Sequence, residues 1–369
     1  MKTIKLAAVA VFSAAQWVSA QPNQSLAYPG AEGFGRFTAG GTGGETVHVT
    51  TLDDAGTGSF RDAVSKPNRI VVFDVGGIIR LKSNVAASSH LTLKGDTAPG
   101  DGITLYGRSV SFSGQKNVIA RYLRFREGIA GDKGKCSVNL ANGSEMIFDH
   151  CSIEWGRWDC LGLTQGSHDV TFQNCIIGEG VGPQRFGSLS DDANNITYTH
   201  NLWINNQNRN PKAKGRIQYV NNIVYNWGVG GLVGGHSAAA HFLDAVGNYF
   251  IAGPNSSSHF ATDFKATDHV YQKDNFADLN KDGKLNGHLV TAEDFGSGEN
   301  APTFVSVPSV GPLTDVAIES AQSAVANVLA EAGCSLHRDA VDARLIDAVK
   351  SFGTRGKIIH SEAEAGGMK

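Results

Sequence analysis

The sequence predicts an all-β protein folded as a parallel β-helix, with helices near its C-terminal end packed on that solenoid. The first reason is an alternating motif that recurs at roughly 22–26 residues, in Met146–Ile153, Val170–Ile177, Ile196–Trp203 and Tyr219–Asn226. Units that repeat at such a period bury a core only when they stack. The second reason is a polar pair in each unit: Asp149-His150, Gln173-Asn174, Thr199-His200 and Asn221-Asn222. Pairs at one phase of every turn predict side-chain ladders at a bend of the solenoid.

The segments on both sides of these repeats extend the prediction. Before them, β-branched runs such as Val47–Val49, Ile70–Val75 and Leu91–Leu93 are separated by Gly, Asp and Pro-Gly turn signals. After them, residues 263–295 form a polar segment with few strand signals. From Pro312 onward the apolar spacing becomes helical. One helical face comprises Ala317, Ala321, Val325, Val328, Leu329 and Ala332 and ends at Gly333; a second comprises Val341, Leu345, Ile346, Val349 and Phe352 and ends at Gly353.

These signals divide the chain into a signal peptide at 1–20, a β-helix domain at 21–311 and a C-terminal helical extension of that domain at 312–369. Lys2 and Lys5 precede an apolar run at 6–15, and Val18-Ser19-Ala20 resembles a small-residue cleavage site. The run is too short to span a bilayer. Four Asn-x-Ser/Thr sequons, at Asn23, Asn142, Asn195 and Asn255, are typical of exported chains. We therefore expect a secreted, extracellular glycoprotein with no membrane segment.

Charge and cysteine content narrow the function classes further. Removing residues 1–20 leaves 30 basic residues (32 minus Lys2 and Lys5) against 35 acidic ones, a net charge of about −5. This balance excludes a generally basic nucleic-acid binder, and we expect a monomer. Five cysteines leave at least one thiol outside any internal disulfide bond. Cys151 and Cys175 share one phase and are expected to stack as buried thiols, whereas a disulfide bond between Cys136 and Cys160 is left open.

Several ordered motifs carry a resemblance to a known family. They are Tyr28–Gly35, Gly56–Val64, Thr97–Gly102, Phe148–His150, Trp155–Arg157 and the Arg-x-Pro-x-x-Lys turn at Arg209–Lys214. Together they resemble fungal secreted pectate lyases of polysaccharide lyase family 1, most closely the pectate lyase C branch, over nearly the whole chain. The resemblance implies a right-handed parallel β-helix. It also implies β-elimination on α-1,4-linked polygalacturonate, which leaves an unsaturated uronide.

The chemistry of β-elimination explains the cations of the turn. A base must remove the C5 proton while a cation offsets the charge that grows on the neighbouring carboxylate. By resemblance Arg209 is the catalytic arginine, although an arginine in water is a poor base because its pKa is high. It needs calcium and neighbouring cations, or a water molecule, to act. Lys214 takes the place of a second arginine that binds a substrate carboxylate, without the bidentate fork. Arg185 lies on the loop where the family has a substrate-binding lysine.

Calcium is the cofactor that the resemblance implies, and the chain offers two places for it. Family members bring acidic side chains together, but here the first such position is Cys136, the second Asp159 and the third Leu163, so only Asp159 can be a carboxylate ligand. The second place follows the EF-hand loop pattern, with candidate ligands Asp278, Asn280, Asp282, Lys284 (through its carbonyl) and Asn286. Position 12 of that loop is Leu289, so a bidentate carboxylate is missing.

Other polar and aromatic residues leave alternatives open. Asp191-Asp192 is compatible with a glycoside hydrolase on the same fold, which would need a second acidic cluster that the chain lacks. A weakly active or non-catalytic protein that binds acidic polysaccharide would explain Cys136 and Leu163, and a lyase for another uronate polymer is a further alternative. His150 and His200 are expected to be structural. The tryptophans either line a sugar-binding cleft or pack in the turns of the solenoid.

Overall fold

The computed structural model describes residues 25–368, so the predicted signal peptide and the sequon at Asn23 lie outside the described residues. The described chain forms a parallel β-solenoid, as predicted. Its strands belong to two sheets, one of seventeen strands and one of ten. All pairings are parallel except that between the last two strands of the smaller sheet.

The larger sheet contains the following strands: β1 Glu45–Val49, β2 Arg69–Phe73, β4 Val85–Ala86, β5 Leu91–Lys94, β7 Val110–Ser111, β8 Lys116–Arg121, β10 Val138–Asn139, β11 Ser144–Asp149, β13 Asp159–Leu163, β14 His168–Gln173, β16 Phe186–Thr199, β18 Lys212–Val220, β20 Leu232–Val233, β21 His241–Val246, β23 Ala261–Thr262, β24 Asp268–Lys273 and β27 Thr303–Phe304. It comprises two columns of stacked strands. The short column contains β4, β7, β10, β13, β20 and β23, and the long strands β16 and β18 join it to the other column. The predicted active-site turn therefore leads into a strand shared by two faces.

The smaller sheet forms the third face of the solenoid. Its strands are β3 Gly77–Arg80, β6 Ile103–Tyr106, β9 Leu123–Arg126, β12 Ser152–Glu154, β15 Ile176–Gly178, β17 Leu202–Ile204, β19 Ile223–Tyr225, β22 Tyr249–Ile251, β25 Phe276–Asp278 and β26 His288–Leu289. The α-helices are α1 Phe60–Ala63, α2 Ala321–Glu331 and α3 Ala340–Val349, and 3₁₀ turns occupy Gly95–Thr97, Ala292–Phe295, Gly298–Asn300, Leu313–Asp315 and Glu362–Ala365.

The predicted polar pairs do lie at a bend, with one correction of register. Asp149, Gln173 and Thr199 occupy one level of adjacent strands, but the next residue at that level is Val220. The pair Asn221-Asn222 therefore lies one residue later than predicted. Asn222 instead belongs to a buried amide ladder, in which Asn201 donates to Asn222 at 3.0 Å and Asn248 donates to Asn275 at 2.8 Å. The ladder satisfies amides that would otherwise be costly to bury.

The interior is packed with stacked apolar side chains. The rings of Phe148 and Phe172 are stacked with centroids 4.8 Å apart. All five cysteines are buried free thiols, so Cys151 and Cys175 are unbonded as predicted, and a disulfide bond between Cys136 and Cys160 does not form. The expected polar segment at 263–295 also needs correction, because β24 and β25 continue the solenoid there. Its strand signal was weak because β24 is only half-buried.

Helices α2 and α3 pack on the smaller sheet and cover its outer apolar side chains. Helix α2 begins after the N-cap Ser320, so Ala317 precedes it, and Phe352 lies beyond the end of α3. Gly333 ends α2 with φ 77°, as predicted, and a Cβ there would lie 2.7 Å from Ile176 Cδ1. None of the helices described for residues 25–368 has the length and apolar character needed to cross a membrane.

A cluster of buried charges joins α3 to the smaller sheet. We call it the buried cluster, and it comprises Arg124, Arg126, Glu154, Asp339 and Asp342. Arg126 donates to Glu154 at 2.5 Å, to Asp342 at 2.7 Å and also to Asp339. The side chains of Arg126, Glu154 and Asp342 are fully buried. Charges this deep are tolerated only when they are paired, so the cluster fixes α3 on the solenoid.

Candidate active site

The tight turn between β17 and β18 carries the predicted catalytic residue. Arg209 has a left-handed backbone with φ 63°, and its N–H donates to Asn208 Oδ1 at 2.9 Å. Asn208 forms a parallel bridge with Phe186 at the start of β16. Gly187 permits this close approach, because a Cβ there would lie 2.4 Å from the Arg209 carbonyl oxygen. The turn is therefore pressed against the preceding turn of the solenoid.

The Arg209 guanidinium is held from two sides. Its central carbon lies 4.2 Å from the centre of the Phe186 ring, which is a cation–π contact. Its Nη1 donates to both carboxylate oxygens of Asp159, at 3.2 Å and 3.1 Å. Asp159 is the first residue of β13 and pairs in register with Phe186. The structure thus brings the predicted catalytic residue into direct contact with the predicted metal ligand.

Burial dominates the electrostatics of Asp159. Its side chain is only 1% exposed, and burial raises the pKa of Asp159 to about 6, although Arg209 and Lys212 both lower it. The ion pair therefore recovers only part of the cost of taking the carboxylate out of water. Since the carboxylate becomes protonated as the pH falls below about 6, its ion pair with Arg209 weakens in acid.

Lys214 is also paired with a carboxylate. Its Nζ lies 2.8 Å from Asp191 Oδ1, and the two residues are register partners in β18 and β16. Their side chains are 22% and 41% exposed, so salt and competing anions weaken this ion pair. Asp191 therefore serves here as the partner of a cation. This role gives no support to the paired carboxylates that a hydrolase would need.

Arg185 is turned toward the C-terminal segment. Its Nη1 lies 2.9 Å from His360 Nε2, and both residues line a surface cavity of about 480 Å³. Gln207 and Asn255 line the same cavity. The Arg185 side chain thus contacts a different group from Arg209, although Arg185 precedes Phe186 in the chain.

Comparison with known proteins identifies the family. The protein named "Probable pectate lyase C" from Aspergillus fumigatus is 42% identical over 345 residues, which cover 93% of this chain and 81% of that protein. The chain belongs to the pectate lyase C family. A protein of the same name from Aspergillus terreus is 42% identical over the same coverage. "Pectate lyase 2" from Ambrosia artemisiifolia is 26% identical over 255 residues, 60% of this chain and 62% of that protein.

Solved pectate lyase structures share the fold. The thermostable pectate lyase PL 47 superimposes with a TM-score of 0.61 and 14% identity, over 87% of this chain and all of that one. A pectate lyase bound to a hexasaccharide gives a TM-score of 0.61 and 14% identity, over 86% of this chain and all of that one. No family model matches the chain.

Membership of the pectate lyase family suggests a calcium requirement in general. The side chains around Arg209, however, do not provide enough oxygen ligands to hold a calcium ion without the substrate. Asp159 is already bound to Arg209. Cys136, two residues before Val138, lies level with Asp159 in the adjacent turn and offers a buried thiol, which is a poor calcium ligand. Leu163, at the third of these positions, is fully buried in the apolar core and has no oxygen in its side chain, so it offers no ligand. Within residues 25–368, no group of three or more His, Cys, Asp and Glu side chains could hold a metal ion.

The loop after β25 fits a hard cation better, because its donors include amides as well as two carboxylates. Asn280 and Asp282 accept from backbone N–H groups at 3.0 and 2.9 Å, and Asn286 donates to Asp282 at 3.0 Å. The Asn286 N–H donates to Asp278 at 3.0 Å. Gly283 has φ 82° at the sharp turn, as the loop pattern requires. The side chains of the predicted ligands therefore converge, while Leu289 is 53% exposed and offers no oxygen from its side chain.

Phe186 and Lys212 are residues of the site that were not predicted from the sequence. Lys212 is two residues before Lys214 on β18, and the period of a strand places both on one face. That signal was available in the sequence. Phe186 had no such signal, because its contact with Arg209 depends on the register of β13, β16 and the turn. We call Asp159, Asp191, Arg209, Lys212 and Lys214 the surface cluster.

The remaining predictions about polar and aromatic residues have structural explanations. His150 and His200 bind carboxylates of the C-terminal region, Glu331 at 3.5 Å and Glu319 at 3.0 Å. Trp155, Trp203 and Trp227 are fully buried, whereas Trp158 is 38% exposed. Of these tryptophans, only Trp158 is exposed enough to contact a sugar.

Proposed function

We propose that this pectate lyase cleaves α-1,4-linked polygalacturonate by β-elimination and leaves unsaturated oligogalacturonides. The observation that carries the proposal is Arg209, bound to Asp159 and Phe186 beside two lysines. The surface cluster has three cations and two carboxylates, so it suits a polyanionic substrate. The names of the relatives, at 42% identity, support the same reaction.

The reaction requires a base, a cation and a leaving group. The C5 proton is removed, the C4–O4 bond breaks, a C4–C5 double bond forms, and the leaving oxygen takes up a proton. We assign removal of the C5 proton to Arg209, in its neutral form or through a water molecule that it orients, and binding of the substrate carboxylate to Lys214. Arg185 would bind a further uronate at the cavity it shares with His360. Asp159 and Phe186 are positioning residues, because they act by holding Arg209.

We assign calcium to the Asp278–Asn286 loop, where Asp278, Asn280, Asp282, the Lys284 carbonyl and Asn286 would hold it. There it would stabilise the loop near the end of the solenoid and take no part in proton transfer. Asp159 is the one carboxylate that the surface cluster could offer near Arg209, so an ion there would depend on oxygens from the substrate.

The export of the chain is part of the proposal. Residues 1–20 would be removed as a signal peptide, and the mature chain would be an extracellular monomer with sugars on Asn142, Asn195 or Asn255. Mass spectrometry of the secreted protein tests this statement. An N-terminus that retains residues 1–20 in the culture medium would contradict it.

The decisive assay follows ultraviolet absorbance of the unsaturated product on polygalacturonate, with calcium and with chelator. A rise in absorbance that parallels the appearance of new reducing ends supports elimination. New reducing ends without absorbance would establish hydrolysis and overturn the proposal. If both signals are absent on polygalacturonate but appear on another polyuronate, the substrate assignment is wrong while the reaction class stands. Polymer binding without either signal would favour a non-catalytic role.

A further inference from the structure

Lys212 is a cation of the surface cluster that neither the family motif nor the proposed mechanism uses. It opens β18 and pairs in register with Leu189 on one side and Val233 on the other. Ala213 is buried, so Lys212 and Lys214 project from the opposite, outer face of the strand. Lys212 is half-buried and lies three residues after Arg209.

The three cations of this surface differ in what they bind. Arg209 is paired with Asp159, and Lys214 is paired with Asp191. Across residues 25–368, no carboxylate lies within 4.0 Å of the Lys212 ammonium group. Asp263 attracts it over a longer distance. Lys212 is thus the one cation of the surface cluster without a direct partner.

The surroundings of Lys212 disfavour its positive charge. Burial lowers the pKa of Lys212, and the charges of Arg209 and Lys214 lower it further, against the attraction of Asp263 and Asp191. An ammonium group that is partly desolvated and repelled by two cations gains more from a nearby anion than a solvated one does. A bound carboxylate would supply that anion.

We propose that Lys212 is the principal binding residue for a uronate carboxylate of the polymer, a role that rests on the proposed function. A carboxylate can bind Lys212 without breaking an existing ion pair. At Lys214 the substrate must first displace Asp191, and at Arg209 it must compete with Asp159. Lys212 therefore offers the strongest attraction, and Lys214 becomes a secondary contact.

The test compares Lys212→Met with the matched control Lys214→Met, using the unsaturated-product assay. A charge-assisted hydrogen bond contributes about 1.5–3 kcal/mol, so Lys212→Met should raise KM by about 10–150-fold. The value of kcat should change by less than about threefold, because a contact made equally before and during reaction acts on KM alone. Lys214→Met should raise KM less, and Lys212→Arg should restore most of the affinity. An unchanged KM in Lys212→Met, or a loss of kcat at constant KM, would overturn the proposal.

A binding measurement keeps the inference separate from the proposed reaction. Calorimetry with a hexagalacturonate should detect weaker binding to Lys212→Met and Lys212→Gln than to Lys214→Met, with melting temperatures near that of the parent. If the parent forms no unsaturated product yet this ranking holds, the lyase proposal fails and the Lys212 assignment stands. Equal affinity in the parent and both Lys212 variants would refute the assignment whatever the reaction.

Discussion

The buried cluster and the surface cluster use the same kinds of side chain in opposite proportion. The buried cluster has two arginines and three carboxylates, whereas the surface cluster has three cations and two carboxylates. The buried cluster has one carboxylate more than it has arginines. Within it, Glu154 has an oxygen, Oε1, without a hydrogen-bond partner in the described part of the chain, and burial raises the pKa of Glu154. The surface cluster has one cation more than it has carboxylates, and Lys212 is the cation without a carboxylate partner among residues 25–368. Solvent access separates the two clusters, because burial raises the pKa of a carboxyl group and so favours its neutral form, whereas a half-exposed cation without a partner can bind an anionic ligand.

The same contrast separates stability from activity. The Arg126 side chain is completely buried, and Arg126 contacts three carboxylates from two parts of the chain, so it holds α3 in place. The Arg209 side chain is 20% exposed and contacts one carboxylate. Loss of Arg126 should therefore affect folding, and loss of Arg209 should affect turnover.

The largest expected effect is on catalysis. Arg209→Lys keeps the positive charge but loses the planar fork, and a correctly placed general base typically contributes about 10²–10⁴-fold. We expect kcat on polygalacturonate to fall by that factor with no loss of stability. The matched control is Arg216→Lys in β18, the strand that follows the Arg209 turn, where the arginine also lies on an aromatic ring, Phe242. Near-normal turnover in Arg209→Lys would show that another residue is the general base.

The next effect is on stability. Arg126→Met leaves Glu154, Asp339 and Asp342 without their common cation, and removal of one partner from a buried ion pair costs about 3–5 kcal/mol. Denaturant unfolding should show this loss. Arg355→Met is the matched control, because the Arg355–Asp347 pair is more than half exposed and should contribute at most about 1 kcal/mol. Equal losses in the two variants would show that the buried cluster does not anchor α3.

A third prediction concerns the pH dependence of stability. The pKa of Asp159 rises from 3.8 to about 6 in the folded chain, so the unfolded chain releases this proton at lower pH than the folded chain does. Protonated Asp159 therefore contributes to the free energy of unfolding below about pH 4, and this contribution is lost as the pH rises through about 6. A shift of about 2 units corresponds to roughly 3 kcal/mol.

Asp159→Asn should remove that decline, because an amide does not titrate. Unfolding free energies measured at several pH values between 4 and 7 would detect the difference from the parent. An identical pH profile in the parent and the variant would mean that Asp159 titrates normally, and that its burial costs less than inferred.

The parts that could be predicted from the sequence are those that repeat locally. The motif at Met146–Ile153 and its successors indicated the stacked strands, and Gly333 indicated the end of α2, because both depend on near neighbours in the chain. The predicted register of Asn221-Asn222 was wrong. The motif places Asn221 level with Thr199, but the pairing of β16 with β18 places Val220, one residue earlier, at that level. The boundary at 311/312 stays a prediction.

The charge clusters show what the sequence could not provide. Arg126 and Asp339 are 213 positions apart, and no local pattern connects them. Arg209 and Lys214 were predicted from one motif, but the pairing of Lys214 with Asp191 and the lack of a partner for Lys212 depend on which turn stacks on which. The burial of Leu163 in the core is likewise shown only by the fold.

The loop at Asp278–Asn286 extends the comparison to a third region, where carboxylates are in excess. Asp278 and Asp282 have no basic side chain within 4.0 Å among residues 25–368, and Asp278 is 3% exposed. An unmatched pair of carboxylates near the surface should bind a hard cation, as the unmatched Lys212 should bind an anion. Binding at a hundred times the dissociation constant would stabilise the fold by roughly 2.7 kcal/mol. The affinity should be modest, because Leu289 replaces the bidentate glutamate.

Melting curves with and without calcium test this last prediction. The parent should melt at a higher temperature in calcium, and Asp278→Ala combined with Asp282→Ala should abolish most of that rise. Asp53→Ala combined with Asp274→Ala removes two exposed carboxylates elsewhere, so it controls for the change in net charge and should keep the full rise. If the loop double variant also keeps the full rise, the loop is only a turn, and the calcium that stabilises the fold binds elsewhere, with Asp159 as the first carboxylate to test.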